Sequence, residues 1–566
     1  MKARYKFLVL LFTLSITGFN SCTKDLVKMN ENPNGADPES ANPNLVLTTV
    51  LTESFKSFVN LGYQDIAGVM QHTQKDGWGG GHNNYDWGNS NSWTGYYDIL
   101  RNNQFVYDKA VELDYPLQQG ITLVMKSLMF GLITDLYGDA PYTQALKGET
   151  GGAEYTFPAF DSQQSIYEGI LADLEKANTL LSESQFNSTV GSADIYYGGD
   201  ATKWRKFANS LALRYYMRIS DKLPSVAQAG IEKIVNTPDQ YPIIKNASED
   251  AAMGFPGNSD GDSWPSYAIP QSDSSNYRRI KMANTLVKAL LERNDPRIAV
   301  WANPVEVSIY VDASLTGSIS KTVYDTTING VTRNAVRIVS PDYLASRQLT
   351  LNDINQDPHY VGLPVALNAP QLYNLSPDPQ QSAHNPHVSW VNARFAKGNA
   401  GGSKVRLMSA AEVHFILAEA SAVKGWNAGD AETHYNQAIQ ASFEAWGLSA
   451  SQAADYVAQP EVAFDGSQEQ IITQKWISTW SVATEAWFDW RRTGYPELHG
   501  VELRTVAKEL PLRFYYPVEE RNLNGTNVEA ANENLESTPL SNFGGNGTKN
   551  SPWSRPWVIQ GTGKPW

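Results

Sequence analysis

Met408-Ser409-Ala410-Ala411-Glu412-Val413-His414-Phe415-Ile416-Leu417-Ala418-Glu419-Ala420-Ser421-Ala422, then Gly425, then Asp430-Ala431-Glu432-Thr433-His434-Tyr435-Asn436-Gln437-Ala438-Ile439, is the stretch on which the fold turns. Met408, Ala411, Phe415, Ala418 and Ala422 recur at helical spacing and share one face. Gly425 breaks that helix. Asn427 or Asp430 caps the next one, whose apolar set is Ala431, Tyr435, Ala438, Ile439 and Trp446. Two antiparallel helices with small residues at their crossing form a tetratricopeptide-like hairpin. The period is irregular elsewhere, so the chain is not a uniform solenoid.

Outward from this hairpin the same periodicity predicts helices over 45–67, 93–113, 118–137, 161–181, 204–220, 226–235 and 468–490. Gly138 and Pro141 stop the third of these, and Asp161 is the expected cap of the fourth. Between about 241 and 404 the character changes. Pro, Gly, Asp and Ser are frequent, and the β-branched runs 305–311 and 318–323 read as short strands or hairpins. One helix, 280–293, interrupts this region. Beyond 521 the chain is rich in Asn, Gly and Ser and reads as an irregular tail.

The chain has 566 residues, enough for a large core, and a single cysteine, Cys22. Cys22 follows a basic start (Lys2, Arg4, Lys6) and an apolar run over 7–19 that is too short to span a bilayer. This predicts a secretory signal over 1–21 of the bacterial lipoprotein kind, with Cys22 as the lipidated first residue of the mature chain. Phe19-Asn20-Ser21-Cys22 departs from the usual pattern by lacking a leucine three positions before the cysteine. With Cys22 acylated, no thiol remains for a disulfide, and packing must hold the fold. No later segment reads as long and apolar enough to cross a membrane. Net charge is −14, and removing 1–21 takes away three cations and no acid, leaving −17. That balance argues against nucleic acid and against polybasic contact with anionic lipid. It suits a neutral or cationic ligand.

Several segments together resemble the SusD/RagB family of glycan-binding outer-membrane lipoproteins. They are Leu136-Tyr137-Gly138-Asp139-Ala140-Pro141-Tyr142, the 418–439 hairpin, Glu485-Ala486-Trp487-Phe488-Asp489-Trp490-Arg491-Arg492-Thr493-Gly494, and Arg513-Phe514-Tyr515-Tyr516-Pro517 with Glu519, Glu520 and Asn524. The Asn30 to Pro33 stretch after the cysteine is similar to the family too, and Lys24-Asp25 resembles the charged signal such bacteria use for surface export. The resemblance implies a mainly α fold: tetratricopeptide-like helical hairpins packed against a loop-rich lobe with few short strands. It implies one SusD-like unit over 22–566, with a helical frame from 22–240 and 405–520, a ligand lobe over 241–404 and a tail over 521–566. It also implies a surface-exposed lipid anchor in the outer membrane, a SusC-like TonB-dependent transporter as partner, an oligo- or polysaccharide as ligand, and no catalysis. Capture of peptides, as in some members, and a surface glycosidase are the alternatives.

Aromatic content is high, with 16 Trp and 28 Tyr, and many Trp fall in Gly/Asn/Ser-rich stretches. A sugar binds where a flat ring stacks on its C–H face and polar groups reach its hydroxyl rim. Two loops have that mixture. The first carries Trp78, Tyr85 and Trp87 as platforms with His82, Asn83 and Asn84 as polar groups; the second carries Trp264, Tyr267, Tyr277 and Arg278. A third, weaker one surrounds Tyr360 and Trp390, while Trp93 and Tyr96 lie on helical spacing and read as scaffold.

Other chemistry fits poorly. Gly257-Asn258-Ser259-Asp260-Gly261 matches a hydrolase pattern but lies among prolines, without the strand and helix that pattern needs. His384 and His387 flank Pro386 and make no helical metal pair. Gly563-Lys564 lacks the rest of a phosphate loop. Glu485 and Asp489 share a helix face but sit beside Arg491 and Arg492, as ion-pairing and capping residues do, and Asp135 reads likewise. No cofactor is expected; Ca²⁺ at Asp260 and Asp262, which lack a full ligand series, is the one metal left open.

Overall fold

The computed structural model describes residues 42–77, 79–85, 87, 91–184, 188–258, 264, 278–365, 367, 370–377, 385–396, 403–498, 509–542 and 549–564. Cys22 and the signal segment lie outside them, as do Trp78, Tyr267, Tyr277, Asp260, Asp262 and His384.

Its helices of eight residues or more are α1 (Pro43–Gly62), α2 (Thr94–Glu112), α3 (Pro116–Tyr137), α4 (Gln163–Glu183), α5 (Ala201–Arg218), α6 (Pro224–Asn236), α7 (Asn284–Glu292), α8 (Ala410–Ala422), α9 (Ala431–Ala445), α10 (Ala450–Val457), α11 (Gln468–Ser478), α12 (Ala483–Thr493) and α13 (Gly525–Glu533). They start where polar side chains satisfy free N–H groups. Asn42, Ser162, Asp200, Ser409, Asp430, Ser449 and Ser467 each accept a first-turn N–H. Of the two caps expected for α9, Asp430 is the one used. For α4 the cap is Ser162, not Asp161. Asp161 instead accepts from the N–H groups of Tyr142 and Thr143 at 3.0 and 2.8 Å, which fixes the turn after α3.

Consecutive helices pack in pairs: α2 on α3, α4 on α5, α5 on α6, α8 on α9 and α11 on α12, with α3 also packed on α4 and α5 on α8. One core runs from Leu47 to Ile559 through these pairs. A smaller cluster joins Phe415, Tyr435, Phe443 and Tyr456 across α8 to α10. Helix α3, 22 residues long, is by length and composition apolar enough to cross a membrane, contrary to the expectation that no later segment is. Almost its whole length is buried in the core, which accounts for its composition without a membrane.

The helix expected over 468–490 is two helices. Ser481 takes φ +75 at the break, and this lets α12 swing onto α1. The approach is close: a Cβ on Gly62 would stand 2.8 Å from the backbone of Val482 and Ala483.

The strands are few and short. β1 (Thr73–Lys75) pairs antiparallel with β3 (Ile280–Met282), and β2 (Ala251–Gly254) antiparallel with β7 (Lys404–Met408). β4 (Ser308–Val311) runs parallel to β6 (Val331–Val339), which forms a hairpin with β5 (Ser320–Ile328). The hairpin turns at Asn329-Gly330, both at positive φ, and is longer than the runs anticipated for this region. Ile309, Val311, Val339, Leu363, Tyr373 and Val388 belong to a separate core of this lobe. The C-terminal segment, expected to be irregular, contains α13 and folds back on the frame: Trp553 Nε1 donates to the Glu509 carbonyl and Gln163 Oε1 accepts from Val558 N–H, each at 2.9 Å.

Candidate functional site

The carboxylates that sequence singled out on α12 are engaged with cations inside the frame. Arg492 donates to both oxygens of Glu419 at 2.6 and 2.7 Å, and Arg214 to both of Glu412 at 2.7 and 2.6 Å. Arg218 donates to Glu485 at 2.5 Å, and Asp489 holds Lys475 at 2.7 Å and Arg492 at 3.1 Å. Asp135 accepts from the Tyr167 hydroxyl at 2.7 Å and faces Arg491 and Arg218 at 3.6 and 3.8 Å. Five cations thus meet five carboxylates, all buried. Burial alone would raise Asp489, yet Lys475 and Arg492 hold its carboxyl far below the usual range. Burial pulls Arg491 down to about 10 against the pull of Asp135. These groups brace helices against one another.

The first aromatic loop is also drawn into the scaffold. Asn83 brackets Lys75, accepting its N–H at 2.8 Å and donating to its carbonyl at 2.6 Å, so the amide acts as an extra strand partner for β1. His82 is buried and bonds Thr73 Oγ1 at 3.0 Å. Trp87 is half-buried; its Nε1 donates to the Gly81 carbonyl at 3.0 Å and its ring meets Phe514 edge-on at 4.8 Å. Tyr85 is buried at φ +59, and burial pushes its hydroxyl well above the usual range. In the second loop Trp264, expected as an open platform, is 2% exposed and wedged among Tyr63, Phe255 and Phe395 at 5.2–5.3 Å. An indole whose faces are filled by other rings has none left for a sugar. Trp93, read as scaffold, is buried against Tyr137, Phe160 and Tyr516.

Among the described residues, the third region, around Tyr360 and Trp390, also keeps a partly exposed indole. Trp390 lies in a backbone segment added to β3: Met282 N–H donates to the Ser389 carbonyl at 2.9 Å, and Trp390 bridges Lys281. Val361 is next across, its carbonyl accepting from Ser389 N–H at 2.8 Å, so Tyr360 stands on the neighbouring segment. The Trp390 ring is partly exposed. Arg278 lies over it at 4.2 Å from the centroid and pairs with Glu306, whose side chain is 38% exposed. Beneath, fully buried Lys281 sits 5.6 Å from the same ring, pairs with Asp76 at 3.4 Å and donates to the Asn385 carbonyl at 3.4 Å. Burial pulls Lys281 down and pushes Asp76 up, each resisted by the other's charge. The result is a ledge with one indole and one carboxylate reachable from water, a largely buried guanidinium between them, and a buried ion pair nearby. Of the sequence-predicted residues it brings together Arg278, Trp390 and Tyr360; Trp264 and Tyr85 are buried in the core elsewhere, and half-buried Trp87 packs against it. Glu306, Lys281 and Asp76 were not anticipated. Among the described residues no group of three or more His, Cys, Asp or Glu side chains is placed to hold a metal ion.

The ledge sits on a scaffold of known type. Residues 36–517 match the SusD-like family described as starch-binding and associating with the outer membrane, and the chain belongs to that family. Among solved structures it is similar to an outer membrane protein of Bacteroides vulgatus described as involved in nutrient binding, with 26% identity, TM-score 0.67, and coverage of 92% of this chain and 100% of that one. A SusD homologue of Bacteroides fragilis is similar at 23% identity and TM-score 0.64, over 92% and 99% of the two chains. A chitin-binding SusD homologue of Flavobacterium johnsoniae shares the fold at 20% identity and TM-score 0.62, over 91% and 98%. No curated protein matches the chain.

Proposed function

We propose that this protein captures oligosaccharides at the bacterial surface and passes them to a TonB-dependent transporter, anchored by a lipid on Cys22 and breaking no bond itself. The observation that carries the reading is the ledge: a partly open Trp390 with Arg278 over its ring and Glu306 paired to that guanidinium. A pyranose packs C–H groups on the part of the indole that Arg278 leaves open, and its hydroxyls donate to Glu306. Aromatic stacking of this sort is worth about 1–3 kcal/mol per ring, taking nucleobase stacking as the analogue. Weak sites suffice, because tethering ligand and transporter to one surface raises the effective concentration. Outer-membrane association of the family and the nutrient- and chitin-binding descriptions of similar structures support this. A non-catalytic role is supported by the buried pairing of Glu485 and Asp489, since glycoside hydrolysis needs two carboxylates facing each other across a substrate cleft.

Affinity electrophoresis through soluble polysaccharides tests the site. Trp390→Ala is expected to weaken retardation while the thermal unfolding midpoint stays within a few degrees of wild type; unchanged retardation refutes the ledge. Release of reducing ends from the same polysaccharides would refute the non-catalytic part. A pull-down from outer membranes is expected to recover a large β-barrel.

A further inference from the structure

The same frame carries a second concavity, on the face where α2 begins. Thr94, Tyr97, Asp98 and Arg101 fall on one stripe of α2 and form one wall. The segment after α3 forms the other, with Leu146, Glu149, Tyr155 and Pro158, and Glu520 closes one end. The cleft holds about 470 Å³, within the ~300–1,000 Å³ usual for small-molecule sites. Its walls are fixed before any ligand arrives. The Tyr97 hydroxyl donates to the Pro141 carbonyl at 2.7 Å. Asn524 Nδ2 donates to the Pro158 carbonyl at 2.9 Å, and Asp161 holds the turn at 142–143. Leu146 is held at φ +64, a conformation L side chains seldom adopt, so the surrounding packing imposes the shape of this wall.

The chemistry of the lining is amphipathic. Trp93, Tyr97, Leu146 and Pro158 supply apolar surface, while Asp98, Arg101, Glu149 and Glu520 supply polar groups. Asp98 and Arg101 pair at 2.9 Å. Glu149 and Glu520 then outnumber the nearby ammonium of Lys147, 6.0 Å over the Tyr155 ring, so the cleft leans acidic and disfavours uronates, sulfates and phosphates. Burial pushes the Glu520 carboxyl above the usual range, against hydrogen bonds it accepts from Asn524 and Trp93.

We propose that this cleft is a second saccharide site, separate from the Trp390 ledge, that takes a neutral sugar unit and excludes acidic sugars. It rests on the glycan-binding reading but on none of the ledge residues. Two bound segments of one chain would engage the protein bivalently, strengthening capture without strong binding at either place.

The test uses the full chain, titrated calorimetrically with maltoheptaose, N-acetylchitohexaose, xylohexaose and trigalacturonate. In the Arg278→Ala/Trp390→Ala background one neutral probe is expected still to bind. Tyr155→Ala or Gly148→Trp is then expected to weaken that residual binding at least tenfold. Gly148 lines the cleft and a Cβ on it meets nothing within 4 Å, so the larger side chain is introduced there from open space. Residual binding unmoved by both changes overturns the cleft as a site. Total loss of binding in the ledge variant does so too, while leaving the ledge and the proposed function standing. Binding of trigalacturonate in place of the neutral probes overturns the charge argument. A wild-type chain that binds none of the four overturns the glycan reading along with this one.

Discussion

In the helical frame Arg492 meets Glu419 through two parallel bonds, both partners 1% exposed; in the loop lobe Arg278 meets Glu306 with the carboxylate still reaching water. The chemical pairing is the same and the consequence is opposite. In the frame each charge is spent on another protein charge, and removing one strands its partner in a medium that cannot solvate it. On the ledge the carboxylate is 38% exposed, and Trp390 beside the pair keeps part of its surface open to water. A helix-borne acidic and basic cluster therefore marks architecture in this molecule, and a sparse one on a loop marks a place where ligand chemistry is available.

The largest expected effect tests the frame side of this contrast. Glu419→Ala leaves Arg492 buried with only Asp489 at 3.1 Å, and the expected loss is about 3–5 kcal/mol, read as a lowered urea midpoint at unchanged slope. Glu306→Ala, the matching change on the ledge, is expected to cost less than about 1 kcal/mol because its side chain is solvated. Equal losses at the two positions would erase the distinction.

Acid sharpens the same comparison. Burial pulls His414 down to about 4, against a weaker upward pull from its bond to the Lys245 carbonyl. Its folded form thus resists protonation. Below about 6.5 the unfolded chain binds the proton first, so His414's contribution is present above that pH and is lost as pH falls toward 4. Asp250 works the other way. Burial raises it to about 6, so the folded state holds its proton more tightly and gains stability as pH falls from there toward the unfolded value near 4. His414→Gln is expected to remove up to about 3 kcal/mol of acid sensitivity between pH 6.5 and 4. Asp250→Asn is expected to steepen the remaining slope. Denaturant titrations at fixed pH values check both, and a His414→Gln profile that follows wild type would show that this histidine does not titrate with unfolding.

On the ledge, Trp390→Ala is expected to cost about 1–3 kcal/mol of glycan affinity, roughly 5- to 150-fold. Trp264→Ala should do the reverse, losing about 3–5 kcal/mol of stability from a core indole. Isothermal titration beside thermal melts separates the two. A Trp264→Ala chain that folds as well as wild type would mean that this indole is not the core residue its packing indicates.

That pair of tryptophans shows how far sequence alone reaches. Helices were legible because a 3.6-residue period and a capping side chain are local: Asp430 before α9 and Ser409 before α8 state their role within a few residues. Asn329-Gly330 was equally legible as a hairpin turn between β-branched runs, and the longer β5–β6 pair could have been read from it. The split between α11 and α12 was not, because its cause is the backbone of α1 at Gly62, distant in sequence. Trp264 and Trp390 look alike in their neighbourhoods. Only the partners each finds far along the chain, three aromatic rings for one and Arg278 with Lys281 for the other, decide which faces water.

The smallest expected effects come from two caps, one on each side of the contrast. Asp430 accepts Thr433 N–H at 2.8 Å at the start of α9, and Asp430→Ala is expected to cost about 1 kcal/mol of stability with glycan affinity unmoved. Asn392 accepts Arg394 N–H at 3.0 Å, two residues after Trp390, while its own N–H donates to the Trp301 carbonyl at 2.7 Å. The turn it caps is only three residues long, so Asn392→Ala is expected to cost about 0.5 kcal/mol of stability. Yet it loosens the segment that aims the Trp390 ring, and affinity is expected to fall severalfold. The backbone of 390–392 is shared by the pin and the platform, so affinity should fall at Asn392, where stability changes least, and hold at Asp430, where stability falls more. Affinity that tracks stability at both positions would mean that the ledge has no positional tuning beyond being folded.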